Sequence, residues 1–299
     1  MALRLILGLI MISALIYISK PAAVISTLLS AQPFYLALAV ILYPLAMLAY
    51  TLRWYLILQL MGERLPLSIA HQALVGSAFI SDFTPARIGD FIRPMMVKEW
   101  IKMERGMASV IVDHWADFVA GAVMGIIGLL GLFAPSSRYF ILVLILLLAL
   151  IAFLSLILIR GDLIMGACRR IGYEQLICAV EFFYTALGSV KHMSELVEGS
   201  LLLTVAVWII YSVRILVIIR ALGYNAPLYH LIFLMPLVNM LSAVPVTISG
   251  LGLVEGGMAA VMVALGLPPS LGISAALIDR ALSMAYHALV GSRYATKWF

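Results

Sequence analysis

Charge is what this chain has least of. Asp, Glu, Lys and Arg make up 11% of its 299 residues, against roughly 25% in a soluble domain, so a chain folded mainly in water is excluded. Cysteine is nearly absent too. Cys168 and Cys178 fall in one loop, match no metal-ligand spacing and read as free thiols. His114 and His287 also lack the spacing of a ligand set, so no metal site is expected. There is no Gly-rich Lys-Ser/Thr loop for nucleotide phosphates, and no cofactor is implied. No basic block is interleaved with aromatics. The isoelectric point near 9.2 therefore points to loop positives rather than to a nucleic-acid partner.

Apolar side chains are abundant, at 65% of the chain with a mean hydropathy of +1.14. They come in runs of about 20, the length of a spanning helix rather than of a barrel strand. The expected class is an all-α polytopic membrane protein. The first run, Leu3 to Ser19, lacks a small-x-small cleavage site and reads as a retained helix.

The chain also repeats itself. Tyr50-Thr51-Leu52-Arg53 recurs as Tyr211-Ser212-Val213-Arg214, Gly62 matches Gly223, and Pro66-Leu67 matches Pro227-Leu228, all 161 residues apart. Arg87-Ile88-Gly89 aligns with Gly250-Leu251-Gly252 at 163. Val110 to His114 aligns with Ala276 to Arg280, and Gly125 with Gly291, at 166. Arg, Gly, Pro and Asp matching in order is harder to dismiss than apolar similarity alone.

Crossings are expected at about 3–19, 33–61 and 107–133 in the first half, and at about 138–159, 195–222 and 270–297 in the second. Each half also holds two short limbs around a Pro/Gly turn. They are 67–81 with an amphipathic stretch to about 103, and 227–244 with a limb ending near 266. These read as re-entrant helical hairpins. Three spanning helices per half is an odd number, so the second half enters from the opposite face. The expectation is two inverted-topology repeats, 1–133 and 134–299, in one membrane domain. Arg4, Arg64, Lys98, Lys102, Arg105, Arg160, Arg169, Arg170, Lys191, Arg293 and Lys297 fall on one side; Lys20, Arg138 and Arg220 fall on the other. The bias places both termini in the cytoplasm. The connector at 160–194 mixes Arg169, Arg170, Glu174 and Glu181 with apolar residues. It is either a partly amphipathic interfacial helix or a solvated linker.

An ionised residue in a membrane span is costly, which makes it a candidate site residue. Arg53, Arg87, Arg93, Arg214 and Arg280 are candidates to hold an anionic lipid headgroup, because guanidinium matches phosphate oxygens bidentately. The turns at Gly89, Gly250 and Gly252 could open half-helices whose free N–H groups favour an anion. Asp90, Asp113, Asp117, Glu255 and Asp279 would pair with the arginines or relay protons; Asp113 and Asp117, four apart, share a helix face. The plainer reading of these charges is structural pairing or snorkelling.

Phe83-Thr84-Pro85-Ala86-Arg87-Ile88-Gly89-Asp90 through Arg93, and Ile248 to Gly256 with its Gly-Leu-Gly-x-x-Glu run, resemble the lysylphosphatidylglycerol synthase transmembrane region, a flippase-like family. The likeness spans about Leu3 to Trp298. Ala86 and Asp90 stand where the family pattern has Gly and Glu, and Asp113-His114 where members often carry Glu-Arg. In the multiple peptide resistance factor this region is joined to an aminoacyl transferase domain. Without such a domain, the resemblance implies the flippase part alone, not an enzyme. It implies movement of phospholipid, polyprenyl-phosphate or glycolipid carriers across the cell membrane. Two alternatives come from the residues: a rhomboid-like Ser/His hydrolase using Ser249 and His287, against which Thr247 stands in place of a glycine, or a membrane partner of a glycosyltransferase.

Overall fold

The computed structural model describes residues 2–132, 138–171, 174–188 and 193–296. It is helical throughout, and among the described residues the only extended pairing is an isolated antiparallel bridge between Pro85 and Ile248.

Two long helices form the centre. Helix α1 covers Ala2–Ile18 and α2 covers Pro21–Leu29; α3 then runs Pro33–Leu60. Pro33 supplies the first turn, where its missing N–H costs nothing. The helix ends where Gly62 takes φ 81° and the Glu63 N–H bonds the Leu58 carbonyl. At 1.5 Å per residue its 28 residues reach about 42 Å, more than the hydrocarbon layer needs. Its counterpart in the second half covers Met193–Ala221 and ends the same way at Gly223, φ 83°. The two lie antiparallel: the Gln32 N–H bonds the Ala221 carbonyl, and Leu56 packs at Gly199. Ala39 sits among Ile215, Ile218, Ile219 and Leu222 in the main core.

Around this pair, α4 (Leu67–Ser81) is followed by a 3-10 turn at Ile88–Ile92, the single turn α5 (Arg93–Met96) and α6 (Met103–Leu132). Next come α7 (Arg138–Ile159), α8 (Gly161–Ile171), α9 (Glu174–Gly188) and α10, the Met193–Ala221 helix already described. The second half continues with α11 (Leu228–Met240), α12 (Leu253–Ala264) and α13 (Pro269–Tyr286). A π turn, His287–Gly291, leads to α14 (Ser292–Ala295). Helices α3, α6 and α10 are each long and apolar enough to cross a membrane, and α1 with α2 form a bent apolar pair. This is a polytopic membrane protein.

Three features differ from the sequence expectation. The first helix ends at Ile18, about where expected, but a second helix, α2, follows it. Lys20 turns at φ 63°, Pro21 starts a new helix, and the chain bends by 90°. The amphipathic limb to residue 103 is a 3-10 turn and one helical turn rather than a continuous helix: Pro94 has no N–H to bond back to Asp90, and Val97 leaves helical geometry at φ −124°. The last span is interrupted by the π turn at His287. Within 160–194, two helices pack on one another and α9 lies against α6. Phe183 and Leu187 are buried there against Ile57, Ala108 and Val112. The side chains of Cys168 and Cys178, and residues Lys191 and Lys297, lie outside those described.

Contacts run between the halves. Helix α6 lies along α11 and α4 lies along residues 287–295, while α2 packs on α13.

Candidate functional site

The arginines of the two central helices are held alike. Arg53 Nε donates to Asp113 Oδ1 at 2.7 Å, and Arg214 Nη2 lies 2.6 Å from Asp279 Oδ1. Each aspartate comes from the last long helix of its own half. Each guanidinium also lies over the tyrosine three residues before it, Tyr50 at 5.1 Å and Tyr211 at 5.1 Å. Each reaches across to the position ten residues before the other arginine. Arg53 donates to the Thr204 hydroxyl at 3.0 Å, and Arg214 covers the Tyr43 ring at 4.5 Å.

A second pair of contacts sits at the hairpin tips. Arg280 Nε donates to Glu255 Oε1 at 2.7 Å, and Glu255 Oε2 accepts the Gly252 N–H that opens α12. Gly252 has φ 86°, and a Cβ there would strike Met11, so only glycine fits. In the first half Asp90 faces His114 at 3.6 Å. Asp90 also accepts the Ser81 hydroxyl and pairs with Arg93 at 3.2 Å. Gly89 lets the tip backbone press on Ser81, where a Cβ would come within 2.5 Å of its nitrogen.

The predicted residues divide into two groups. Arg53 is fully engaged by Asp113, Asp117 and Thr204. Arg93 is engaged by Asp113, Asp90 and the Ser77 hydroxyl. Both arginines are buried, and neither lines the two cavities beside the turns. Arg87, Arg214 and Arg280 instead come together in one cavity of about 120 Å³, with Asp279, Tyr43, Tyr50, Tyr211 and Ser249. Arg87 also lines a neighbouring cavity of about 250 Å³ walled by Phe91, Phe118 and Trp208, where Asp117 and His114 appear. Asp113, Asp90 and Glu255 sit behind the cavities and hold the arginines. Gly250, at φ 67°, turns the second tip against Ser242.

Cation capacity in the first cavity is unspent. Nε and Nη1 of Arg214 are buried without a hydrogen-bond partner. Arg87 has Asp90 at 3.8 Å and no hydrogen-bonded acceptor among the described residues. Orphaned buried donors are costly and call for an acceptor. The arrangement can therefore take an anion beside Arg87 and Arg214.

Sequence reasoning gave no role to Tyr43 or Asp82, which hold the ring of His287 in this cavity: Tyr43 Oη lies 2.7 Å from Nε2 and Asp82 Oδ2 lies 2.8 Å from Nδ1. Both nitrogens are thereby taken up, and no hydrogen bond joins His287 to Ser249, although the two share the cavity. The available signal was Asp82 itself, an acid closing an apolar stretch with no basic neighbour in sequence.

A family model described as the lysylphosphatidylglycerol synthase TM region matches residues 2–291. Two relatives from Methanothermobacter thermautotrophicus, each called a UPF0104 membrane protein, are also similar. One is 27% identical, over 94% of this chain and 90% of its own length. The other is 23% identical, over 87% and 82%.

Proposed function

The chain belongs to the lysylphosphatidylglycerol synthase transmembrane-region family, and on that premise we propose that it carries a phosphate-bearing lipid between the leaflets of the cell membrane. The lipid would be a phospholipid, a polyprenyl phosphate or a glycolipid carrier, with its phosphate in the cavity shared by Arg87 and Arg214 and its tails left in the bilayer. The observation that supports this reading is that one cavity is lined by both Arg87 and Arg214, and that Nε and Nη1 of Arg214 have no hydrogen-bond partner. A guanidinium with unused donors is suited to phosphate oxygens.

The transport geometry follows from the repeat. Residues 1–133 and 134–299 are two inverted halves, each with a hairpin that re-enters the membrane. Support comes from the antiparallel α3–α10 pair, with Arg53–Asp113 and Arg214–Asp279 as matched ion pairs. Further support is that α6 lies on α11 as the end of the second half lies on α4. The two tips meet at the Pro85–Ile248 bridge, beside the cavities, where rocking of one half on the other would expose the headgroup to each leaflet in turn.

The test is reconstitution in liposomes with a fluorescent phospholipid reporter. Arg87→Ala is expected to abolish translocation while the protein stays monodisperse in detergent. Full-rate translocation by that variant would sink the site.

A further inference from the structure

One wall of the cavity carries a relay that headgroup binding by the arginines leaves unused. Asp82 closes α4, His287 opens the π turn after α13, and Tyr43 lies on α3; together they form an unbroken chain, Asp82 to His287 to Tyr43. The Tyr43 ring then lies under the Arg214 guanidinium at 4.5 Å. All four line the same cavity. The π turn is a further mark, since single π turns concentrate at functional positions.

The groups around His287 come from every neighbouring element. Helix α3 brings Tyr43 and Tyr50, α4 brings Asp82, and the first tip brings Arg87; α10 brings Tyr211 and Arg214, and α13 brings Asp279, Arg280 and Tyr286. His71, further along α4, is hydrogen-bonded to Thr51. Arg293 and Tyr294 follow on α14, with Arg293 exposed.

The partners fix what a proton would do. Beside a carboxylate, Nδ1 of the neutral ring carries the hydrogen and donates to Asp82; Nε2 then accepts the Tyr43 O–H. In that state the tyrosine hydrogen is spent on the histidine. When a proton is added, Nε2 carries N–H and donates to Tyr43 Oη. The tyrosine hydrogen is released and turns toward the cavity, where it becomes a donor beside Arg214. The same proton adds a positive charge to a wall that already holds Arg87, Arg214 and Arg280 against Asp82 and Asp279.

We infer that His287 takes up a proton together with the anionic headgroup, so that lipid movement is linked to protons. The inference rests on the headgroup reading above and adds a second ligand, the proton, at a separate place on the same cavity. Linkage is reciprocal: the proton strengthens anion binding by the factor that the anion strengthens proton binding.

The test is calorimetric titration of the full chain in detergent, repeated across neutral and mildly acidic pH, with dihexanoylphosphatidylglycerol, a phosphodiester whose own charge stays constant over that range. Two buffers of unlike ionisation heat read the protons taken up per lipid bound. The wild type is expected to take up protons and to bind more tightly as pH falls, by at most about tenfold per pH unit. His287→Gln should bind with no uptake and a flat pH profile. Tyr43→Phe, which keeps the histidine but lacks the hydroxyl, should bind more weakly at low pH and with a shallower profile. Wild-type binding with no proton uptake overturns the inference without touching the headgroup reading, and so does full uptake by His287→Gln, which places the proton elsewhere. No binding by the wild type at any pH overturns the headgroup reading and the inference together.

Discussion

Arg53 and Arg87 are both arginines set among apolar stretches, and their surroundings differ sharply. Arg53 is 1% exposed and spends its donors on two aspartates and a threonine. Asp113 serves two cations at once, with one oxygen on Arg53 and the other on Arg93. Removing one member of a buried ion pair strands the other charge and costs about 3–5 kcal/mol. Asp113→Ala is therefore expected to lower stability by at least that much, read as loss of monodisperse protein or a lower unfolding temperature in detergent. Arg87→Ala removes a side chain a third exposed, with one long contact to Asp90; it should leave the unfolding temperature nearly unchanged while stopping transport. Equal destabilisation by the two variants would contradict this division. Ala86 and Arg87 both hold the left-handed backbone region, φ 53° and 55°, which is uncommon for residues with a Cβ. Ala86 occupies the position where the family pattern carries glycine, so this tip keeps a turn that glycine would make without strain.

The turns between short helices bring Arg87 and Ser249 to the cavity, where Tyr43, Arg214, Asp279 and Arg280 arrive on long helices. Gly121, Gly125 and Gly128 give α6 a bare face on which α11 lies: a Cβ at Gly128 would meet Leu234 at 2.8 Å. Small residues let membrane helices approach this closely. The tips are then fixed by their mutual bridge, Pro85 against Ile248. Antiparallel bridged residues have Cα atoms about 4.5–5.5 Å apart, inside the range a disulfide spans. With Cys168 and Cys178 replaced, Pro85→Cys with Ile248→Cys should crosslink under oxidation, stop lipid movement, and release it on reduction. Unimpeded movement with the crosslink formed would mean that the tips need not part. That α4 and α11 are short and end in turns was legible, because Pro and Gly interrupt two apolar stretches at matching places. Helix α2 was not read, since a proline just after an apolar run looks like an end and not like the first turn of a second helix. The bond between Tyr43 and His287 was out of reach too. It joins residues 244 apart, and a tyrosine in an apolar span gives no hint of its partner.

At the scale of the whole molecule, the charged residues and the three long apolar helices α3, α6 and α10 could be read from sequence, because each charge in an apolar run stands out against its surroundings. Which arginines are spent and which are free could not, since that depends on how many acids converge on each. Arg53 and Arg214 are sequence mates, yet Asp113 and Asp117 both reach Arg53, while Asp279 is the carboxylate paired with Arg214. Loop charge makes a further prediction. Reporter fusions at the N-terminus, at the C-terminus and in the α8–α9 segment should all report the cytoplasm, whereas one in the short loop between α10 and α11, near Tyr224, should report the opposite side. Termini found on different sides would remove the inverted arrangement.

The crossed contacts of α3 and α10 carry one last consequence. Arg53 meets position 204 and Arg214 meets position 43, so exchanging the halves maps the contact onto itself. Two copies of one chain make self-complementary contacts of this kind across a dimer axis. In such a dimer a single codon would fill both places. Written twice in one chain, the places are free to diverge, and here one is Thr204, which feeds the closed ionic cluster, and the other Tyr43, which faces the cavity. The Asp82–His287–Tyr43 chain of hydrogen bonds is then a point of asymmetry between the halves, because the place equivalent to Tyr43 holds Thr204, which has no ring.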